Sequence, residues 1–444
     1  MNPRQTALSI IQSTLQAIDP QEAVKTHLRL SGRRLICGDA SYNLDDFDRV
    51  RLIGFGKGSA PMAQAVHSLL KTQISDGLVI VKYDHTLPAD VDINPIQIVE
   101  AGHPIPDENG LKHTRALIDF VSNSTERDLI LCLISGGGSA LLVQPAGEIT
   151  LSQMRTLTQR LLEAGATITE INTIRKHLSA IKGGWLARQA APATIISLIL
   201  SDVGGDQLDM IASGPTVPDP TTFGDALALL EKYGLISVID PAIVSHLRAG
   251  VQGQQPETPK PGDQAFNETQ NLIISNNRMA ATAATTAAQQ AGLNAAYFDR
   301  FIEGEARIVA VQVAKMAMLL SSSSDLIQRP AALIFGGETT VTMPPEHGLG
   351  GRNQELALAC VPYLNGRPNV LIATLATDGN DGPTDAAGAY VDGQTMEKAE
   401  SHNLDVQAYL DNHDSYHFFE ALNDLIITGP TNTNVNDLLF IFAW

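Results

Sequence analysis

Six times along this chain a run of apolar, β-forming residues stops abruptly at a loop of Gly, Ser, Thr and Asp. These loops occupy positions 54–59, 135–139, 201–206, 336–339, 377–385 and 429–434. Strands that are apolar along their whole length belong to parallel sheets covered by helices on both faces. In open sheets of that kind, ligands bind beyond the carboxyl ends of the strands. Glycines there let backbone N–H groups approach an anion, and acidic residues there hold a hard metal ion. The pattern describes an α/β enzyme for a phosphorylated ligand, working with Mg2+.

A chain of 444 residues exceeds the usual size of one hydrophobic core, so two domains are expected. A net charge of −18 argues against a nucleic-acid or membrane-surface partner. An anionic substrate stays admissible, because screening over a Debye length of roughly 8 Å lets a few local cations outweigh distant carboxylates. The three cysteines, Cys37, Cys132 and Cys360, lack metal or redox spacing and imply no disulfide framework. No signal-peptide core opens the sequence, and no apolar run reaches membrane length. The expectation is a soluble, cytoplasmic protein; a homodimer is left open.

Ala7, Leu8, Ile11, Leu15 and Ile18 recur at helical spacing and predict an opening amphipathic helix. Strands are expected at 50–55, 77–81, 96–100, 128–134 and 194–200, with helices at 59–71, 151–164 and 170–190. The stretch 251–270 has linker composition. It divides a Rossmann-like N-terminal α/β domain, residues 1–250, from a smaller C-terminal α/β domain, residues 271–444; a surface loop within one domain is the alternative. Strands at 271–274, 333–335, 370–374 and 438–442 alternate with helices at 278–291 and 353–364, predicting mostly parallel sheets. The serine run 321–324 reads as a loop.

Gly54-Phe-Gly-Lys-Gly-Ser59 sits at a strand-to-helix junction. It fits neither the Walker A spacing nor G-x-G-x-x-G, whose last glycine is here Ser59. What remains is Lys57 between Gly56 and Gly58 at a helix start, where an anion gains roughly 0.3–1 kcal/mol from the dipole. A solvated lysine is the plainer alternative. Ser135-Gly-Gly-Gly-Ser139 follows the cleanest strand of the chain. Leu141 stands where a nucleophile elbow needs its second glycine, which disfavours a serine hydrolase. Gly136, Gly137 and Gly138 instead offer a backbone nest for phosphate or carboxylate, although a tight turn would use the same residues.

Residues 172–184 concentrate Arg175, Lys176, His177 and Lys182 in an acidic protein. On one continuous helix, Asn172, Lys176, Ser179 and Gly183 share a face, with Arg175 and Lys182 on the neighbouring stripe. That face either clamps an anion or is simply solvated. Asp202 and Asp206 follow one buried strand; Asp378, Asp381 and Asp385 follow another. Their spacing is not that of an EF-hand, but Mg2+ needs only one or two carboxylates beside phosphate oxygens. Asx turns are the alternative for any single Asp. Arg352, delivered by a glycine-rich loop, offers planar bidentate recognition of carboxylate or phosphate, and Glu338 adds a carboxylate near that face. His103 is either a positioning group or a local hydrogen bonder.

Together these motifs resemble the class II glycerate 2-kinase family, whose bacterial members often carry the label hydroxypyruvate reductase. The matching stretches are 54–59, 101–107, 133–140, 172–184, 200–215, 335–339, 350–355, 376–388 and 429–437, and they extend over most of the chain. The resemblance implies two α/β domains with the active site in the cleft between them. It also implies phosphorylation of D-glycerate at its 2-hydroxyl, dependent on ATP and Mg2+. The family's functional lysine and arginine map onto Lys57 and Arg352, and its acidic loops onto Asp202, Asp206 and Asp378. On this reading Lys57, Arg352 and Asp202 are catalytic, while Asp206 and Asp378 hold the metal. The nucleotide falls to Gly56, Gly58, Ser135, Gly136, Gly137, Gly138, Ser139 and Lys176. The rival is an NAD(P)H-dependent hydroxypyruvate reductase, for which no segment supplies the dinucleotide fingerprint.

Overall fold

A computed structural model describes residues 2–322 and 327–444. The chain divides into two compact units, Pro20–Ile274 and the combination of Met1–Asp19 with Ser275–Trp444. Among the described residues no helix is long and apolar enough to cross a membrane.

The larger unit surrounds a six-stranded sheet ordered Ile96–Ala101, Ile74–Lys82, Arg49–Phe55, Asp128–Ile134, Thr194–Leu200, Thr269–Ser275. Counted along the sequence that order is 3-2-1-4-5-6, the doubly wound arrangement. The first five strands pair in parallel. Their unbroken apolar runs are explained by two cores. Leu52, Val79, Leu131 and Leu198 pack with the helix Ser59–Leu70 on one face. Ile53, Ile80, Ile130 and Ile195 pack with Leu117 and Val121 of the helix Glu108–Ser122 on the other. Each such side chain contributes roughly 1.5–3 kcal/mol on burial. The strand order reverses between Arg49–Phe55 and Asp128–Ile134, and Phe55 is level with Ile134, so the two loops that follow leave side by side.

Helices Leu151–Glu163, Ile168–His177, Phe223–Lys232 and Pro241–Val251 share a separate core. Capping boxes open the first two, Thr150 with Gln153 and Thr167 with Glu170. The expected continuous helix over 170–190 is broken. It stops at His177 and resumes at Trp185, with Gly183 and Gly184 at φ of +56° and +87° between. Nor is 251–270 the boundary. Thr258 donates to Asp219 at 3.1 Å and Pro259 O accepts the Asp219 N–H at 2.9 Å, tying this stretch into the larger unit, which ends at Ile274.

The second sheet is ordered Asn294–Glu305, Ala331–Thr340, Asp437–Ala443, Val370–Ala376, Gly388–Asp392, Leu425–Ile426. Its first pair is parallel and the other four are antiparallel, so the expected parallel majority fails here. The last strand accounts for two of these pairs by inserting antiparallel between two strands that run the same way, and Gly388–Asp392, antiparallel to both of its neighbours, accounts for the other two. The opening helix, Pro3–Ala17, also departs from the expected 1–250 domain. Its Ala7, Ile10 and Ile11 pack with Ala280, Ala284 and Ala288 of the helix Asn277–Gln290, and Arg4 pairs with Asp392 and Asp424. Ser321 and Ser322 end the helix Ala306–Ser322, and the rest of the serine run lies outside the described residues.

Candidate active site

Loops 54–59 and 135–139 interlock where their strands end. Lys57 N–H donates to Gly136 O at 2.9 Å, Ser135 N–H to Phe55 O at 3.2 Å, and Gly58 N–H to the Ser135 hydroxyl at 2.9 Å. Ser135 is buried and its hydroxyl also meets Ser59 at 3.2 Å, so this serine fastens the two loops together. Gly56, at φ +130°, belongs to the same lock: a Cβ there would fall 2.2 Å from Ser135 Oγ. The three central glycines are equally confined. A Cβ would meet Asp202 Oδ2 at 2.6 Å from Gly136, His103 Nε2 at 2.9 Å from Gly137, and Ala212 Cβ at 2.8 Å from Gly138. The result is a ribbon of peptide without side chains, with Asp202 and His103 drawn onto it.

Lys57 is half-buried and its stem lies beside Gly137. Burial, then the charges of Lys57 and Lys82, hold the His103 pKa down to about 4, so the imidazole is neutral at physiological pH. Lys182 is buried and donates to Ser139 O at 2.8 Å and Leu142 O at 2.5 Å; burial, then Arg175, push its pKa down to about 7. Ser139 Oγ meets Ser213 Oγ at 2.9 Å, and Ser213 reaches Asn172 at 3.4 Å. Ala212 and Ser213 adopt φ of +50° and +61°, strain of the kind found at ligand sites. All this opens on a cavity of about 880 Å³ whose inner wall includes His103, Gly137, Ser139, Asn172, Arg175, Lys182 and Asp202.

Lys176 is not on that wall. It is 1% exposed, with Nζ 3.0 Å from both Asp209 and Asp219. Arg175, on the same helix, and Lys182, in the turn beyond His177, line the cavity instead, as do Arg155 and Arg160. Asp206 lies four residues beyond Asp202, half-buried at φ +56°.

In the second unit, Gly337 and Ala376 both align with Asp437, so the ends of two parallel strands meet the start of the antiparallel one. Arg352 holds Asp437 through Nε at 2.5 Å and Nη2 at 3.0 Å, and Glu338 through Nη1 at 2.8 Å. Asn436 donates to the other Glu338 oxygen at 2.8 Å. Burial works against the Arg352 charge, but Asp437 and Glu338 raise its pKa overall. Asp381 is buried and accepts the backbone N–H groups of Asn353 at 3.1 Å and Gln354 at 2.8 Å, opening the helix Arg352–Leu364; burial pushes its pKa up to about 6. Asp378 is half-buried and accepts from Asn380 N–H at 3.2 Å. Among the described residues no three His, Cys, Asp or Glu side chains group closely enough to hold a metal by themselves. Asp437 went unread from sequence. Its one signal was an acidic residue opening an otherwise apolar strand.

Two family models match the chain: a domain of unknown function, DUF4147, over residues 6–248, and the MOFRL family over residues 331–437. A D-glycerate 2-kinase of Thermotoga maritima is 41% identical over 98% of this chain and 97% of its own length. A glycerate 2-kinase of Pyrococcus horikoshii is 36% identical over 99% and 97%. A protein of Agrobacterium vitis provisionally named hydroxypyruvate reductase is 40% identical over 99% and 94%. The crystal structure of a Thermotoga maritima glycerate kinase superposes with a TM-score of 0.87 at 38% identity, covering 99% of each chain. Similarity of this extent runs through both units and all the loops described above, and the chain belongs to the glycerate 2-kinase family.

Proposed function

We propose that this chain transfers the γ-phosphoryl group of ATP to the 2-hydroxyl of D-glycerate. The bare ribbon Gly136–Gly137–Gly138, held against Lys57 and Asp202, carries this reading. Peptide N–H groups stripped of side chains can approach phosphate oxygens, and phosphoryl transfer asks chiefly for such positioning and charge stabilisation. Lys57 adds a full positive charge at the ribbon, and Arg175 adds a guanidinium to the cavity wall. Asp202 presents a carboxylate oxygen at the ribbon. That donor suits Mg2+, which takes one or two carboxylates and fills its sphere with phosphate oxygens and water. When bound, the ion would neutralise phosphate charge, and Asp206 is its further candidate ligand in this unit.

Arg352 is proposed to grip the carboxylate of D-glycerate. Three of its N–H groups are committed to Asp437 and Glu338, leaving one on each terminal nitrogen for a ligand. Ser135, Gly56 and Gly58 serve by shaping the loops, and Lys176 by anchoring its helix.

Incubation with ATP, Mg2+ and D-glycerate, read by phosphorus NMR, is expected to yield 2-phosphoglycerate. NADH oxidation with hydroxypyruvate, in the absence of phosphate transfer, would replace the kinase by the reductase.

A further inference from the structure

The cavity does not end at the glycine ribbon. Its outer wall is aliphatic: Leu151 and Met154 are buried, whereas Ile105, Leu162 and Ile168 stand 67%, 57% and 61% exposed. Exposed aliphatic side chains are ordinary when scattered; three facing one void mark a place that something covers. Small-molecule sites have this character, volumes of roughly 300–1,000 Å³ lined mainly by apolar groups with a few convergent polar ones. D-glycerate, with about seven non-hydrogen atoms, fills a small part of 880 Å³, while ATP brings roughly thirty.

The hydrogen-bonding groups of the two ends differ in what they already hold. Lys57, Arg175 and Lys182 gather at the ribbon end. At the outer end Arg155 is committed to the Pro106 carbonyl, and Arg160 to Glu163 at 3.0 Å. We infer that the nucleoside half of ATP lies on the wall formed by Ile105, Leu162 and Ile168, with its triphosphate running inward to residues 136–138. This assignment rests on the kinase reading and adds where the donor's base and sugar sit.

The double variant Leu162→Asn/Ile168→Asn tests it, because both positions are exposed and the change adds no charge. Calorimetry compares ATP with inorganic tripolyphosphate, which carries the charges without the nucleoside. The variant is expected to weaken ATP binding and raise KM for ATP by about 10-fold, with KM for D-glycerate and affinity for tripolyphosphate unmoved. Unchanged ATP affinity overturns the assignment. So does dissociation of a dimer on gel filtration with ATP affinity intact, which would make the wall a contact between copies. Wild-type protein that binds ATP on this wall yet transfers nothing to D-glycerate would sink the kinase reading and leave the wall standing.

Discussion

In the larger unit, loops 54–59 and 135–139 prepare for an anion by leaving side chains out. In the smaller unit, the loops around Arg352 do so by crowding charges together. The ribbon's glycines face Asp202, His103 and Ala212 so closely that a Cβ would force one of these neighbours, or the ribbon, to shift. Arg352, by contrast, is saturated on one side by Asp437 and Glu338 before any ligand arrives. The first device is expected to fail sterically when altered. The second fails electrostatically and takes stability with it, since a buried carboxylate stripped of its partner is costly.

The sharpest way to break this contrast is Gly137→Ala. The new Cβ would meet the His103 ring at 2.8 Å, so either the ring or the ribbon must move. Loss of one or more aligned N–H donors is expected to lower kcat/KM on the order of 10³-fold. Gly292 is the matched control: it shares φ +85° but has open space around it. Gly292→Ala should cost stability of about 1 kcal/mol through backbone strain and leave kcat/KM unchanged. If both variants lose activity alike, strain and not crowding explains the ribbon.

The same contrast explains what sequence could and could not reveal. Glycine runs after apolar strands are local signals, and residues 54–59 and 135–139 carried the doubly wound half of the fold with them. Periodicity put Lys176 on a face with Asn172 but could not show Asp209 and Asp219, which draw its ammonium into the interior while Asn172 and Arg175 of the same helix line the cavity. Arg352 stood out as a lone arginine because Asp437 is 85 residues away, brought alongside only by the register of the last strand. That antiparallel insertion, like the docking of Pro3–Ala17 on Asn277–Gln290, is a long-range choice that no local pattern encodes.

Arg352→Lys probes the crowded site with a smaller expected effect. A lysine keeps the charge but cannot hold Asp437 bidentately, so kcat/KM should fall on the order of 10²-fold. Stability should fall by about 2 kcal/mol as the buried carboxylate loses its partner. Adding Asp437→Asn removes that carboxylate, and thermal unfolding of the double variant should recover while activity does not. Recovery of both would demote Arg352 from the substrate to the scaffold.

The smallest effect separates the two units by sign. His103 titrates near 4 in the folded protein against an ordinary value of 6.5, so its contribution to stability is complete above pH 6.5 and is lost as pH falls towards 4. Asp381 titrates near 6 against 3.8, so its contribution is complete at the acid end and is lost as pH rises through 6. Between pH 4 and 6 the two oppose each other. His103→Gln removes the acid-side loss and leaves Asp381 and Asp437, whose pKa burial pushes up to about 7, acting in the same direction, so urea midpoints of the variant should decline from pH 4.5 to 7 more steeply than those of the wild type. Because His103 is only half-buried, the difference should be about 1 kcal/mol. An unaltered pH profile would mean that the imidazole is not held neutral against the ribbon, and the steric account of Gly137 would lose its partner.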